Sequence, residues 1–239
     1  MVPLADSFDT VGPLARSVED AGLLLSLLEG GRPADLRGAS LRGARLMVLE
    51  TAALDDLREA PGKAFEAAAR KLEAAGAALV RARVPAVAEA LALSPILFSG
   101  EAYGLWKSEI EAAPEKMFPP ILERFRSGAA FSAPDFVAAW RSLARLRAAY
   151  AGATASFDAV ILPSAPNLPP DAARLLGDKD YYVAENLLTL RNTRIGNLMG
   201  LASLTLPTGT PSCGLMFFAA PMQEARLLRL AAAAEAALG

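Results

Sequence analysis

Apolar residues recur along this chain at two different periods. Short, nearly continuous apolar runs bounded by Gly, Pro or Asp read as buried strands. They fall at Arg45–Leu49, at 79–84 before Pro85, at 157–163, at 202–206 before Pro207, and at Gly214–Ala219. Apolar residues three and four apart mark helices between them. These run from a start at Ser17 to a stop at Gly30, over 63–75, over 119–127, from Ser132 to Tyr150, over 181–199 and over 223–238. Residues 87–150 read as helical throughout, with interruptions at Pro95 and Gly100.

Local signals sharpen several of these ends. Ser17, Val18, Glu19 and Asp20 place a hydroxyl at a helix start and an acid three residues on, which is capping-box spacing. Leu24, Leu25, Leu27 and Leu28 are expected to form the packed face of that helix. Ser132, Pro134 and Asp135 open another helix in the same way, and Arg141, Arg145 and Arg147 are expected on its wet side. Gly76 closes the helix at 63–75. The prolines at 166, 169 and 170 keep the stretch after the third strand extended or turned. Strand, helix and strand within about 40 residues make a βαβ unit, which predicts a parallel pair. The predicted fold class is α/β, a mixed β-sheet with helices on both faces, and residues 1–239 are read as a single domain.

Composition narrows the function classes. The chain has 239 residues and is 53% hydrophobic, enough for a substantial core. Its 24 basic and 26 acidic residues nearly balance and form no basic stripe, so no nucleic-acid partner is expected. No apolar stretch reaches the roughly 20 residues of a membrane span. A single cysteine excludes an intrachain disulfide and fits a reducing, cytoplasmic setting. There is no histidine, so Ser-His-Asp chemistry and histidine-based metal sites are excluded within this chain; no metal and no cofactor are expected.

Beyond these signals, the run Asp9, Gly12, Pro13, Ala15, Arg16, Ser17, Val18, Glu19, Asp20, Ala21, Leu24, Leu25 resembles a string typical of the amidase signature family. Further matches follow in order. Leu41, Gly43 and Arg45 lead into the first strand, and Gly76-Ala77 precedes the second. Phe157, Asp158, Pro163 and Pro166 match a third motif, with Ser164 where threonine is usual. Asn197, Gly200 and Pro207 match a fourth; Gly214, Leu215, Phe217, Phe218 and Pro221 match the last, with Met216 in place of glutamine. The resemblance is dense at both ends and thin over 87–155.

Family resemblance implies hydrolysis or transfer of an amide nitrogen by a serine nucleophile, a second serine with a cis peptide bond, and a lysine base. The lysine acts as base when burial and neighbours hold it neutral. Those groups lie upstream of the matched region in the family. This chain has no Gly-Gly-Ser-Ser loop and no adjacent serine pair. It is therefore expected to be an amidase-like fold lacking its N-terminal part, without catalytic residues of its own and inactive alone. Ser164 and Ser203 read as loop and strand serines rather than substitute nucleophiles.

The resemblance also implies part of a substrate pocket. Arg124 falls where glutamine-using members place a carboxylate-binding arginine, a task that suits a planar guanidinium; a plain surface arginine is the other reading. Thr193 and Asn197 either hydrogen-bond substrate or cap a turn. Leu190 stands where glutamine-using members carry an ammonium-binding aspartate, which favours a general amidase over a glutamine-specific amidotransferase component. Cys213 reads as an inert small residue, and Glu101, Tyr103 and Trp106 as core packing or the pocket mouth. A small amide is the expected substrate once the missing part is supplied. The alternative is a non-catalytic binding or assembly protein that keeps the fold. Missing strands would leave open edges and apolar surface, so a homodimer or a covering partner is expected.

Overall fold

The structure is a computed structural model describing residues 2–239. Five strands form one sheet: β1 (Arg45–Leu49), β2 (Ala78–Ala82), β3 (Ala159–Pro163), β4 (Ala202–Pro207) and β5 (Gly214–Ala219). Their order is β2-β1-β3-β5-β4. β1 runs parallel to both neighbours, with Leu46 opposite Leu79 on β2 and opposite Ala159 on β3. β5 runs antiparallel to β3 and to β4, with Phe217 opposite Ile161 and Leu204. The sheet is thus mixed, and the β1–β2 pair is the parallel pair that the βαβ spacing predicts.

Among the described residues, nine α-helices surround the sheet. They are α1 (Val18–Glu29), α2 (Glu59–Ala74), α3 (Pro85–Ala92), α4 (Gly100–Ala112), α5 (Pro119–Arg126), α6 (Ala133–Thr154), α7 (Ala172–Gly177), α8 (Lys179–Met199) and α9 (Glu224–Leu238). The central strands are covered on both faces, so alternate side chains enter two cores. Met47, Leu49, Val160, Leu162, Met216 and Phe218 join α3, α6 and α8 on one side. Leu46, Val48, Ile161, Leu215 and Phe217 join α2 and α9 on the other. A third, smaller cluster (Ala102, Ile110, Leu122, Phe125) binds α4 to α5.

Most element boundaries shift by a few residues from the sequence reading, for local reasons. β2 stops at Ala82, two residues short of the expected 84, because Pro85 takes the first position of α3, where its fixed φ suits a helix start. α8 starts at Lys179 rather than 181, since Asp178 caps it by accepting the Tyr181 N–H at 2.9 Å. Pro95 does interrupt the helical stretch, as a wide π-type turn over Pro95–Ser99. Gly100 does not. Its backbone is helical, and its missing Cβ makes room for the Phe136 ring, which a methyl there would approach to 3.1 Å.

Two expectations are overturned. Ser17 caps α1 as predicted, accepting the Asp20 N–H at 3.1 Å, but of the four leucines only Leu25 packs, partly buried, against the core. Val18, Gly22 and Ser26 are buried, while Leu24 is 41%, Leu27 70% and Leu28 60% exposed. Gly22 faces Leu228 of α9, and the Val18, Gly22 and Ser26 side of the helix is turned inward while most of the leucines turn out. Arg147 is not on the wet side with Arg141 and Arg145. Its Nε donates to the Leu198 carbonyl at 2.6 Å, one of the last carbonyls of α8, and its guanidinium lies over the Trp140 ring.

The position of α8 is set by Asn192, which is fully buried. Its Nδ2 donates to the Ala53 carbonyl at 3.0 Å and to the Pro163 carbonyl at 2.7 Å, joining the turn after β1 and the end of β3 to the helix. Both partners are acceptors, so only the amide NH2 can face them. Asn192→Ala loses both bonds and is expected to cost about 1–3 kcal/mol. Asn192→Asp is expected to cost more at pH 7, because an anionic oxygen then faces two carbonyls. It should recover partly in acid, where the protonated carboxyl donates one bond. Urea unfolding of both variants at neutral and acidic pH checks this ordering.

Candidate functional site

One face of α8 carries Leu187, Leu190, Thr193, Arg194 and Asn197, spaced by three or four residues and so stacked along one side. Opposite this face stand Arg124 and Ser127 from the end of α5, Ser94, Pro95, Phe98 and Ser99 from the wide turn, and Leu4. Together they bound a cleft of about 370 Å³ with mainly apolar walls. The end of α5 approaches the turn so closely that a Cβ on Gly128 would lie 2.0 Å from the Ser99 carbonyl oxygen. Only glycine fits there, and the seating of Arg124 follows from that contact.

Arg124, Thr193 and Asn197 therefore line one cleft. Arg124 is half-buried, and its Nη2 donates to Asn186 Oδ1 at 2.8 Å, so it is not a free surface arginine. Thr193 is exposed and returns its hydroxyl to the Leu190 carbonyl at 3.1 Å. Asn197 donates to the Phe8 carbonyl at 2.9 Å, which leaves its amide oxygen for other partners. Leu190, at the position where the sequence reading noted the missing aspartate, forms apolar wall.

Arg194 was not singled out from the sequence. It lines the cleft and makes no hydrogen bond or ion pair among the described residues. Burial, reinforced by the charge of Arg124, pulls its pKa below the usual arginine range. The signal was there: Arg194 sits four residues after Leu190 and three before Asn197, on the face already marked by Asn197.

Among the described residues, no carboxylate lines this cleft. The nearest acids in sequence are engaged elsewhere: Glu123 pairs with Lys179, and Glu101 Oε1 accepts the Ser7 N–H at 2.7 Å. Trp106 Nε1 likewise donates to the Pro3 carbonyl at 2.8 Å. Glu101 and Trp106 thus secure the 3–8 segment rather than line the cleft. That segment ends in Phe8, buried between Phe98 and Trp140 at centroid distances of 4.3 and 5.1 Å.

On the other side of α8, Glu185 is buried and meets Arg58 and the Asn167 amide, the latter at 2.9 Å. Burial alone would raise the Glu185 pKa, but the hydrogen bonds from Arg58 and Asn167 outweigh it and hold the carboxyl below its usual range. Ser164 shares its hydroxyl with Thr205 at 3.1 Å and has no lysine or carboxylate partner among the described residues, and Ser203 is exposed. Cys213 is buried, and burial raises its thiol pKa, as befits an unreactive residue. No group of three or more metal-ligating side chains occurs among the described residues.

A sequence profile described as Amidase matches residues 1–228. This chain belongs to the amidase family. Among curated relatives, it is 33% identical to a 2-amino-5-chloromuconic acid deaminase of Comamonas testosteroni, over 100% of this chain and 53% of that protein. It is 28% identical to an amidase of Pseudomonas putida, over 98% of this chain and 54% of that one. A crystal structure of an amidase superposes with a TM-score of 0.80 at 26% identity, over 100% of this chain and 55% of the other. The amidase fold expected from the motifs is thus present, and the chain spans about half the length of the curated relatives it matches. No helix of the described residues is long and apolar enough to cross a membrane.

Glu185 gives this region a testable pH dependence. Its folded pKa lies below its ordinary value of 4.5, so its stabilising contribution is full above that pH and is lost as pH falls through the folded value. The urea midpoint is expected to drop on acidification below about pH 4.5. Glu185→Gln should be less stable at pH 7 and lose part of that acid sensitivity.

Proposed function

We propose that this chain forms the substrate-holding part of an amidase-family hydrolase that breaks a C–N bond in a small, carboxylate-bearing molecule. Arg124 holds the carboxylate as a charge-assisted pair, and Thr193 and the free oxygen of Asn197 orient the polar end. Apolar walls from Phe98, Leu187 and Leu190 enclose the carbon skeleton and exclude water, which strengthens the ionic contact. The nucleophilic serine, its serine partner and the lysine base come from a segment outside these 239 residues, so the isolated chain is inactive.

The observation that carries this reading is the convergence of Arg124, Thr193 and Asn197 on one cleft lined by no acid among the described residues. The Comamonas relative is named as a deaminase of an amino-substituted acid, which supports nitrogen removal from a carboxylated substrate. Leu190 supports a substrate without an ammonium group at that point, since nothing there would neutralise one.

A second reading, a non-catalytic assembly protein, is favoured by a different observation. Leu27 and Leu28 are exposed, and the open groove of about 760 Å³ between α1, β4 and α9 is lined by Leu14, which is 98% exposed. A homodimer or a covering partner would bury this surface.

Two experiments separate them. The chain is mixed with a separately expressed segment of a full-length relative that carries its lysine and Gly-Gly-Ser-Ser loop, and ammonia release from small carboxylated amides is followed. Restored turnover supports the hydrolase, and Arg124→Gln should then raise KM about 10- to 100-fold, the loss of a hydrogen bond to a charged group. Persistent inactivity in a stable complex supports the assembly protein. Sedimentation of the chain alone should show a dimer or larger species, reverting to monomer when Leu27 and Leu28 are both changed to Glu. A monodisperse wild-type monomer would sink the covered-surface idea.

A further inference from the structure

Arg194 has no role in the reading above, and its setting is unusual. A guanidinium carries five N–H donors and is expensive to bury without acceptors. Arg194 is half-buried, makes no hydrogen bond among the described residues, and faces the like charge of Arg124. Arg124, by contrast, is already steadied by Asn186. Two positive charges that raise each other's energy across an acid-free, apolar-walled cleft form an arrangement that an anion relieves twice.

Other features of the molecule do not offer the same. The cavity of about 480 Å³ beside Tyr150 has one buried hydroxyl without a partner among the described residues, but its arginines, Arg147 and Arg226, are spent on the Leu198 carbonyl and on Asp158. Glu185 is fully engaged by Arg58 and Asn167.

We propose that Arg194 and Arg124 form a two-cation subsite that selects small diacids, one carboxylate on each guanidinium, over the matching monoacids. This rests on the reading that Arg124 holds a carboxylate, and it narrows the substrate class to molecules with two acid groups. Arg194 is the specificity-determining residue. A monoacid engages Arg124 and leaves Arg194 desolvated and unpaired, so it gains only part of the available interaction. A diacid pairs both and removes their mutual repulsion.

Calorimetric titration of the full 239-residue chain with succinate, glutarate and adipate, and with butyrate, valerate and hexanoate, tests this. At least one diacid is expected to bind about tenfold or more tightly than its monoacid of equal length, a difference of about 1.4 kcal/mol. Arg194→Gln should weaken that diacid about tenfold or more, to near the monoacid level, while the monoacid weakens far less; Arg194→Lys should retain part of the preference. Because Arg194 holds no structural hydrogen bond among the described residues, the variants should keep the wild-type unfolding midpoint to within a small shift. Equal affinity for diacid and monoacid, or a preference that survives Arg194→Gln, overturns the inference while leaving Arg124 as the carboxylate anchor. Monoacid binding that survives Arg124→Gln overturns the anchor itself. No saturable binding of any diacid up to about 50 mM, far weaker than a millimolar site, overturns both.

Discussion

The buried amide of Asn192 holds the arrangement together. It ties α8 to the turn after β1 and to the end of β3 through the Ala53 and Pro163 carbonyls. With that side of the helix pinned, the opposite side can project Arg194 and Asn197 into open space. Gly196 permits the close approach: a Cβ there would lie 2.9 Å from the Phe218 ring. One helix therefore separates a dry, hydrogen-bonded interior from a polar cleft, and both are set by residues within six positions of each other. The amide oxygen of Asn192 finds no partner among the described residues, so the tie is made at the expense of one buried acceptor.

The cleft draws its character from what is excluded as much as from what is present. Glu123 and Glu101 are close in sequence to its lining, yet each is drawn off, the first to Lys179 and the second to a backbone N–H of the 3–8 segment. Were either turned inward, Arg124 or Arg194 would form an internal ion pair and the cleft would be electrically closed. Keeping guanidiniums unpaired costs desolvation energy, and the fold bears that cost in a small region walled by Phe98, Leu187 and Leu190.

Much of the fold was legible because the central strands are covered on both faces and so read as unbroken apolar runs, from 45–49, 159–163 and 214–219. The helix ends were legible where a side chain makes the cap, at Ser17 and Ser132. What hydrophobicity could not reveal is which side of α1 packs. It counts leucines, whereas the side that packs on α9 carries Val18, Gly22 and Ser26, of which only Val18 weighs heavily on a hydrophobicity scale. Arg147 was misplaced for a related reason: its partners are backbone carbonyls of α8, about fifty residues away, and a carbonyl leaves no trace in residue type. For the cleft, motif positions pointed to Arg124, Thr193 and Asn197. Arg194 had no motif attached, and its distinction, a lack of partners, exists only in three dimensions.

The hydrogen bond from Asn197 to Phe8 joins residues 189 apart, and that from Val18 to Glu235 joins residues 217 apart. Each core is thereby closed by pairing an early stretch with a late one. Contacts of such sequence separation are slow to find, because most of the chain must be confined before they reward it. During synthesis the Phe8 side chain has no Trp140 to stack on until 132 further residues have been made, and α1, ending at Glu29, has no α9 until the chain reaches Glu224. The inward side of α1, Val18, Gly22 and Ser26, therefore stays uncovered until α9 has emerged. Chaperone demand and proteolytic loss should accordingly fall in the interval between the making of α1 and the making of α9.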